Sequence, residues 1–372
     1  MLVIELKMYI VRFYRYLFAL LLLVSFCNLH AQAPKYSNEF LAIGVGARGL
    51  GMSGAQAASV NDVTAAYWNP AGLQGLSKAP QIALMHSEYF AGIAKYDYGS
   101  FGKRIDSNSV IAISAIRFGV DDIPNTTELI DANGNVNYDR ITKFSAADYA
   151  FIASYARNIK KVKGLTFGAN AKVIHRVIGD FANSWGFGLD AGIQFRKNNW
   201  ILGASGKDIT TTFNAWSYSL SDKMKEVFSV TGNVIPENSM EITMPRIILG
   251  AGRNFRINKT FTALAEINFD VTTDGYRNVL IKSNPFSIDP KLGLEIGVAG
   301  IIFPRLGVCN IQKSTDIFGK GITTYQPTCG IGVRFRSIHV DYAFTDIGDQ
   351  SVALYSHVIS LKFDISRKPT KS

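Results

Sequence analysis

The sequence predicts an all-β protein, an antiparallel transmembrane barrel of about 14 strands, and three observations predict it. The chain opens with an export signal, its strands alternate with a period of two over about ten residues, and their connections alternate between short and long.

Arg12 and Arg15 precede an apolar stretch from Leu17 to Phe26, and small residues follow at Ala31 and Ala33. This is the order of a secretory leader, expected over residues 1–31, and about ten apolar residues are too few to span a bilayer as a helix. Of the formal charge of +10, about +8 stays on the mature chain. On an exported protein that balance points to anionic lipid or an acidic protein as partner, and not to nucleic acid. Gly is frequent at 33 of 372 residues, aromatics reach 12%, and charged residues make up only 18%, below the roughly 25% usual for soluble domains. After residue 31 no stretch is apolar enough for a membrane helix, so a spanning chain must close into a barrel whose backbone groups pair between strands.

The strands carry that signal. Leu165, Phe167, Ala169, Ala171 and Val173 share one parity, while Thr166, Gly168, Asn170 and Lys172 share the other. The same contrast separates Trp185, Phe187, Leu189, Ala191 and Ile193 from Gly186, Gly188, Asp190 and Gly192, and Leu292, Leu294 and Ile296 from Lys291, Gly293 and Glu295. Apolar parity suits lipid; the Gly and ionisable parity suits the lumen. By that rule Lys172, Asp190, Glu266, Lys291, Glu295 and Asp341 are luminal charges. Strands are expected to start near residues 81, 93, 109, 147, 165, 183, 200, 244, 260, 290, 304, 323, 337 and 356, within a barrel spanning 81–366. Short turns at 105–108, 159–164, 196–199 and 256–259 alternate with long loops at 119–146, 207–243 and 270–289, the arrangement of an outer-membrane barrel and not of a sandwich. The short turns are basic, as is the tail at 367–372, which suits contact with outer-membrane lipid headgroups.

The segment Phe40-Leu41-Ala42-Ile43-Gly44-Val45-Gly46-Ala47-Arg48-Gly49-Leu50-Gly51-Met52-Ser53-Gly54-Ala55, followed by Asp62 to Leu73 with its Trp68-Asn69-Pro70-Ala71-Gly72-Leu73 core, resembles the N-terminal signature of the PorV/PorQ family, within the FadL-like group of outer-membrane barrels. Near the C-terminus, residues 341–349 with His357 and Ser360-Leu361 resemble the family's closing strand pair. The resemblance implies that residues 32–80 fold into the lumen as a plug, with Gly46, Arg48, Gly51, Asp62, Trp68, Asn69, Pro70 and Ala71 as its motif. Gly44, Gly46, Gly49, Gly51 and Gly54 permit tight turns in a narrow space, and Arg48 would pair with luminal carboxylates, Asp190, Glu266, Glu295 or Asp341. The family implies a non-enzymatic accessory barrel of type IX secretion, with secretion-system proteins or exported cargo as partners. The FadL-like fold implies the alternative, uptake of hydrophobic small molecules.

Other patterns lead elsewhere and are set aside. Gly44 to Gly49 fits GxGxxG, but no βαβ unit follows. The histidines of the mature chain show no metal or triad spacing, and neither a catalytic constellation nor a cofactor motif is visible. Cys309 and Cys329 lie symmetrically about Gly319 in an expected hairpin, so a cross-strand disulfide and two free thiols both stand open. Leu220, Met224, Val227 and Phe228 fall at helical spacing within 215–230, so a short amphipathic helix is expected over the outer mouth.

Overall fold

The computed structural model describes residues 37–130, 134–315, 319–345 and 356–365. The expected leader and basic tail lie outside them, as do residues 346–349 of the C-terminal resemblance.

Sixteen strand segments form one antiparallel sheet. They are β1 (Gln81–Tyr89), β2 (Ala94–Arg104), β3 (Ser109–Asn125), β4 (Thr142–Asn158), β5 (Leu165–Ile178), β6 (Ala182–Lys197), β7 (Trp200–Lys207) and β8 (Thr212–Tyr218). The series continues with β9 (Ser239–Thr243), β10 (Arg246–Arg256), β11 (Phe261–Thr272), β12 (Ser287–Val298), β13 (Ile302–Thr315), β14 (Gly321–Phe335), β15 (Ile338–Thr345) and β16 (Ser356–Asp364). β1 pairs with β16 and closes the ring. β7 pairs with one half of β6 and β8 with the other, while β10 pairs with β7 and β9 with β8. Two long strands are therefore each interrupted once, at residues 208–211 and 244–245, and the barrel has fourteen strands. Pro245 offers no amide to the ladder, and Asp208 and Thr211 adopt φ of 54° and 58°, which explains why the ladder breaks at this height.

Register advances by about one residue at each step between strands, the stagger of a closed barrel with tilted strands. The row Ile82–Phe101–Ile113–Ala153–Ala171–Leu189 shows it: Ile82 is the second residue of β1, whereas Ala171 sits halfway along β5. The outward parity of β5 and β6 exposes Phe167, Val173, Phe187 and Ile193, and their inward parity is buried.

One expectation is corrected. Leu220 lies outside the outer-loop helix, Asp222–Val230, and residues 215–218 instead belong to β8. Trp216 fixes them there, stacking on Tyr218 and donating its Nε1–H to Glu241 at 2.8 Å. The helix buries none of its residues. Of the two open readings for the cysteines, the structure has free thiols among the described residues: the β13–β14 hairpin pairs Cys309 with Gln326 and Cys329 with Leu306, on opposite faces. The hairpin tip already pairs Thr315 with Gly321, off the centre at Gly319, and a register shift between Cys309 and Gln312 adds one step more.

Candidate functional site in the barrel lumen

Residues 37–80 run down the inside of the ring. Asn38 donates to Thr243 Oγ1 at 2.7 Å near the outer mouth, and Gln74 donates to the carbonyls of Asn108 and Ala156 at 2.7 and 2.9 Å beside the short turns of the opposite end. Between them lie the short helices α1 (Ala47–Leu50) and α2 (Ala65–Trp68) and a 3-10 turn, Pro70–Gly75. Asn69 starts that turn. Its Oδ1 accepts from Ala71 N, as a cap does, and its Nδ2 donates to Ala57 O at 2.7 Å and Ile193 O at 3.1 Å, tying segment to wall. Asn69→Ala removes the cap and both bonds, although Gln194 Nε2 still reaches Ala57 O at 3.4 Å, and is expected to cost about 1–2 kcal/mol of the segment's attachment, read as faster proteolysis or exchange of residues 57–75 with the barrel still folded.

Three glycines cradle Trp68. A Cβ at Gly44 or Gly49 would come within 2.8 Å of the indole ring, and one at Gly54 within 3.3 Å. The indole also donates to Val45 O at 2.9 Å. Gly44, Gly46 and Gly54 have positive φ, which suits the expected turns; Gly49 and Gly51 do not, and their small size serves close approach instead.

The wall has matching gaps. Gly168 faces the backbone of Pro70 and Ala71, Gly192 the Asn69 amide, Gly203 the Ala57 carbonyl, Gly293 the Met52 side chain and Gly307 the Met52–Ser53 peptide. Added methyls at these positions would all clash with the luminal segment.

Charge holds the same fit on one side. Arg48 Nε lies 2.9 Å from Glu295, which also takes Arg305 at 2.6 Å, and Arg305 reaches Asp341 at 2.7 Å. Glu266 accepts the N–H groups of Ala58 and Ser59 at 2.8 and 2.9 Å. Lys362 pairs with Asp62, Lys291 with Asp270 at 2.7 Å, and Lys172 with Asp190 and Asp208 at 2.8 and 2.6 Å. Burial alone would raise the Asp62 carboxyl, but Lys362, with Arg48 behind it, outweighs burial and holds it well below the usual carboxylate range. A folded-state value below the unfolded one adds stability above about pH 4, lost only as pH falls through the folded value. Conductance is thus expected to stay at its neutral baseline down to about pH 4 and to rise only in stronger acid. Asp62→Asn is expected to loosen the segment already at neutral pH and to flatten that acid response.

The other side of the lumen is apolar. Met85 and Tyr89 of β1, Tyr96 and Tyr98 of β2, Ile116 of β3, Ile152 of β4 and Ile174 of β5 are all buried, and Phe40, Leu41, Ile43 and Val45 of the segment pack against that strip. Tyr96 lies with ring centroids 6.2 Å from Tyr89 and 5.9 Å from Phe118. Among the described residues the Tyr96 hydroxyl is buried without a hydrogen-bond partner. Cavities remain at both ends. A small one of 60 Å³ lies between residues 37–42, Tyr67 and the wall at Lys172, Asp208 and Arg246. A charged vestibule of 410 Å³ at the short-turn end is lined by Arg48, Asp62, Arg334, His339 and Lys362, among others.

No protein-family model matches the chain, and no curated protein matches it. Solved structures do. The chain is similar to the CymD monoaromatic hydrocarbon channel, with a TM-score of 0.53 and 13% identity over 87% of this chain and 98% of that one. It is similar also to the toluene transporter TbuX of Ralstonia pickettii (TM-score 0.52, 12% identity, 87% and 99% covered) and to TodX of Pseudomonas putida (TM-score 0.51, 12% identity, 87% and 98% covered). The fold is that of these channels, a FadL-like fourteen-stranded β-barrel.

Against that frame, the six luminal charges inferred from parity, Lys172, Asp190, Glu266, Lys291, Glu295 and Asp341, all face inward, and of the four candidate carboxylates Arg48 pairs with Glu295. Of the motif residues, Gly51 abuts Gly330, Pro70 and Ala71 fill the space at Gly168, and Gly46 donates its N–H to the Met85 sulfur at 2.9 Å. Sequence reasoning missed Arg305, Lys362, Asp270 and Asp208, each bonded to one of the named residues. Parity would have found Arg305 and Lys362, which share the inward face of β13 and β16. It missed the apolar strip for a physical reason: toward the outer ends of β1–β3, Tyr89, Tyr96, Tyr98 and Ile116 turn inward while His86, Asp97 and Arg117 turn outward, so the polarity there runs opposite to that of β5 and β12.

Proposed function

We propose that this barrel passes small, ring-sized hydrophobic molecules across the outer membrane, with residues 37–80 acting as its plug. One observation carries the reading. The lumen is two-faced: charge clamps the segment to β11, β12 and β16, whereas its outer part, Phe40, Leu41 and Ile43, belongs to the apolar cluster of the Tyr89–Tyr96–Phe118 strip, where a flat apolar molecule can replace these three side chains at little cost. The hydrocarbon channel and toluene transporters with this fold support the same direction.

A second reading, an accessory barrel of type IX secretion, is supported by the N- and C-terminal resemblance and by a plug that leaves only 60 Å³ near the outer mouth. Gentle purification from native outer membrane, followed by mass spectrometry of co-purifying proteins and small molecules, separates the two. The transport reading expects a solitary barrel carrying monocyclic or short-chain hydrophobic molecules. Recovery with a large translocon or exported cargo, and no such molecule, overturns it.

A further inference from the structure

Lipid-facing walls of outer-membrane barrels are apolar over about 25 Å, or about ten residues of tilted strand. On β11 that requirement is met: Phe261, Ala263, Ala265, Ile267, Phe269 and Val271 all share the outward face. On β1–β3 it fails. Outward residues begin as Ile82 and Leu84 on β1, Phe101 and Gly99 on β2, and Ile111, Ile113 and Ala115 on β3. They then turn ionic, at His86, at Asp97 and Lys95, and at Arg117 and Asp121.

These residues form one connected surface. His86, Asp97 and Arg117 are directly opposite in register, and the same row continues through Tyr149, His175 and Trp185, which stack in sequence with His175 and Trp185 ring centroids 4.1 Å apart. His86 Nδ1 lies 2.7 Å from Asp97, Arg117 lies 3.9 Å from Asp97 and 3.2 Å from Asp121, and Lys95 lies 3.6 Å from Asp121. Because the row climbs from β1 to β6, its aromatic end reaches the outer rim while its charged end lies several residues below it. The charged side chains remain 30–54% exposed on the outside of the barrel. An outward ionised group near the bilayer midplane costs about 2–4 kcal/mol, falling toward zero at the interface, so a chain of them is stable only where water and headgroups reach.

We propose that the β1–β3 wall faces a locally thinned outer leaflet, with hydrated lipid headgroups drawn down to the His86–Asp97–Arg117 row. Lys95 and Arg117 lie among Glu88, Asp97 and Asp121 within the wall, so the patch carries little excess charge for a protein partner to match, and the short apolar face below them fits a leaflet of reduced height. This goes beyond the transport reading and holds whether or not a molecule passes the lumen.

The test uses full-length protein with Cys309→Ser and Cys329→Ser, carrying one new cysteine on the outward face: Asp97→Cys, Ala147→Cys on β4, which keeps every charge of the row, or Ile267→Cys, about as far along β11 from its short turn. Each is assayed for folding by heat-modifiable gel mobility, then labelled with a membrane-impermeant maleimide in phospholipid vesicles and in intact outer membrane. Labelling at 97 and 147 is expected at least about tenfold faster than at 267 in both settings, as water defects at a charged wall require. Equal protection at all three positions overturns the proposal. Labelling in vesicles with protection in intact membrane overturns it too, because a protein partner then covers the wall.

Discussion

Gly168→Val is expected to open the barrel. The Cβ it adds would overlap the backbone of Pro70 and Ala71, not a flexible side-chain end, so the 3-10 turn cannot seat and the luminal segment must withdraw. The ladder of β5 with β4 and β6 loses nothing, since its hydrogen bonds are main-chain and the substituted face points inward. A fourteen-stranded ring without its filling leaves a water-wide lumen, so single-channel conductance in planar bilayers is expected to rise at least about tenfold over wild type. Gly203→Val, two strands away on β7, meets the Ala57 carbonyl and should give the same result by an independent contact. Heat-modifiable gel mobility identical to wild type would show that the barrel itself is intact.

The second large effect concerns the apolar strip. Tyr96 is fully buried between Tyr89 and Phe118, with β2 presenting it to the face on which Leu41 and Ile43 rest. Tyr96→Asp places a carboxylate there without a cation partner on the strip, and burying an unpaired polar or charged group costs about 2–4 kcal/mol or more. Uptake of a small aromatic hydrocarbon is expected to fall at least about tenfold, each 1.4 kcal/mol being a factor of ten. Tyr96→Phe, which removes only the unpartnered hydroxyl, is expected to keep or raise it. The contrast between the two variants separates loss of an apolar path from general damage to β2.

Much of this architecture is legible in the residues because a half-buried strand writes its two faces into alternate positions. The starts near 81, 109, 165, 200 and 356 coincide with strand ends in the structure, and the inward charges follow from parity alone. Arg48 was expected to find a luminal carboxylate, but the choice of Glu295 depends on how deep α1 sits, which no local pattern records. The failures share a cause. A bulge after Cys309 shifts register without any change in composition, and periodicity gives no sign of it. Reversed polarity on β1–β3 looks like ordinary alternation unless the inward face is known, so the aromatic strip and the outward ion row were both invisible to a rule calibrated on β5, β6 and β12. Interrupting a strand at 208–211 requires knowing that Thr212–Tyr218 rejoins β6, a tertiary pairing.

The central claim is that a plugged barrel admits small hydrophobic molecules along the β1–β5 face of its lumen. Its most direct test is the initial rate of uptake of a radiolabelled monocyclic aromatic hydrocarbon into vesicles loaded with a hydrophobic trap. Wild-type, Tyr96→Asp and Gly168→Val protein are compared with protein-free vesicles. The account predicts saturable uptake by wild type, near-background uptake with Tyr96→Asp, and unsaturable uptake with Gly168→Val. Wild-type uptake no faster than protein-free vesicles, with Gly168→Val fast in the same preparation, would contradict it and leave the sealed barrel as a partner-binding subunit.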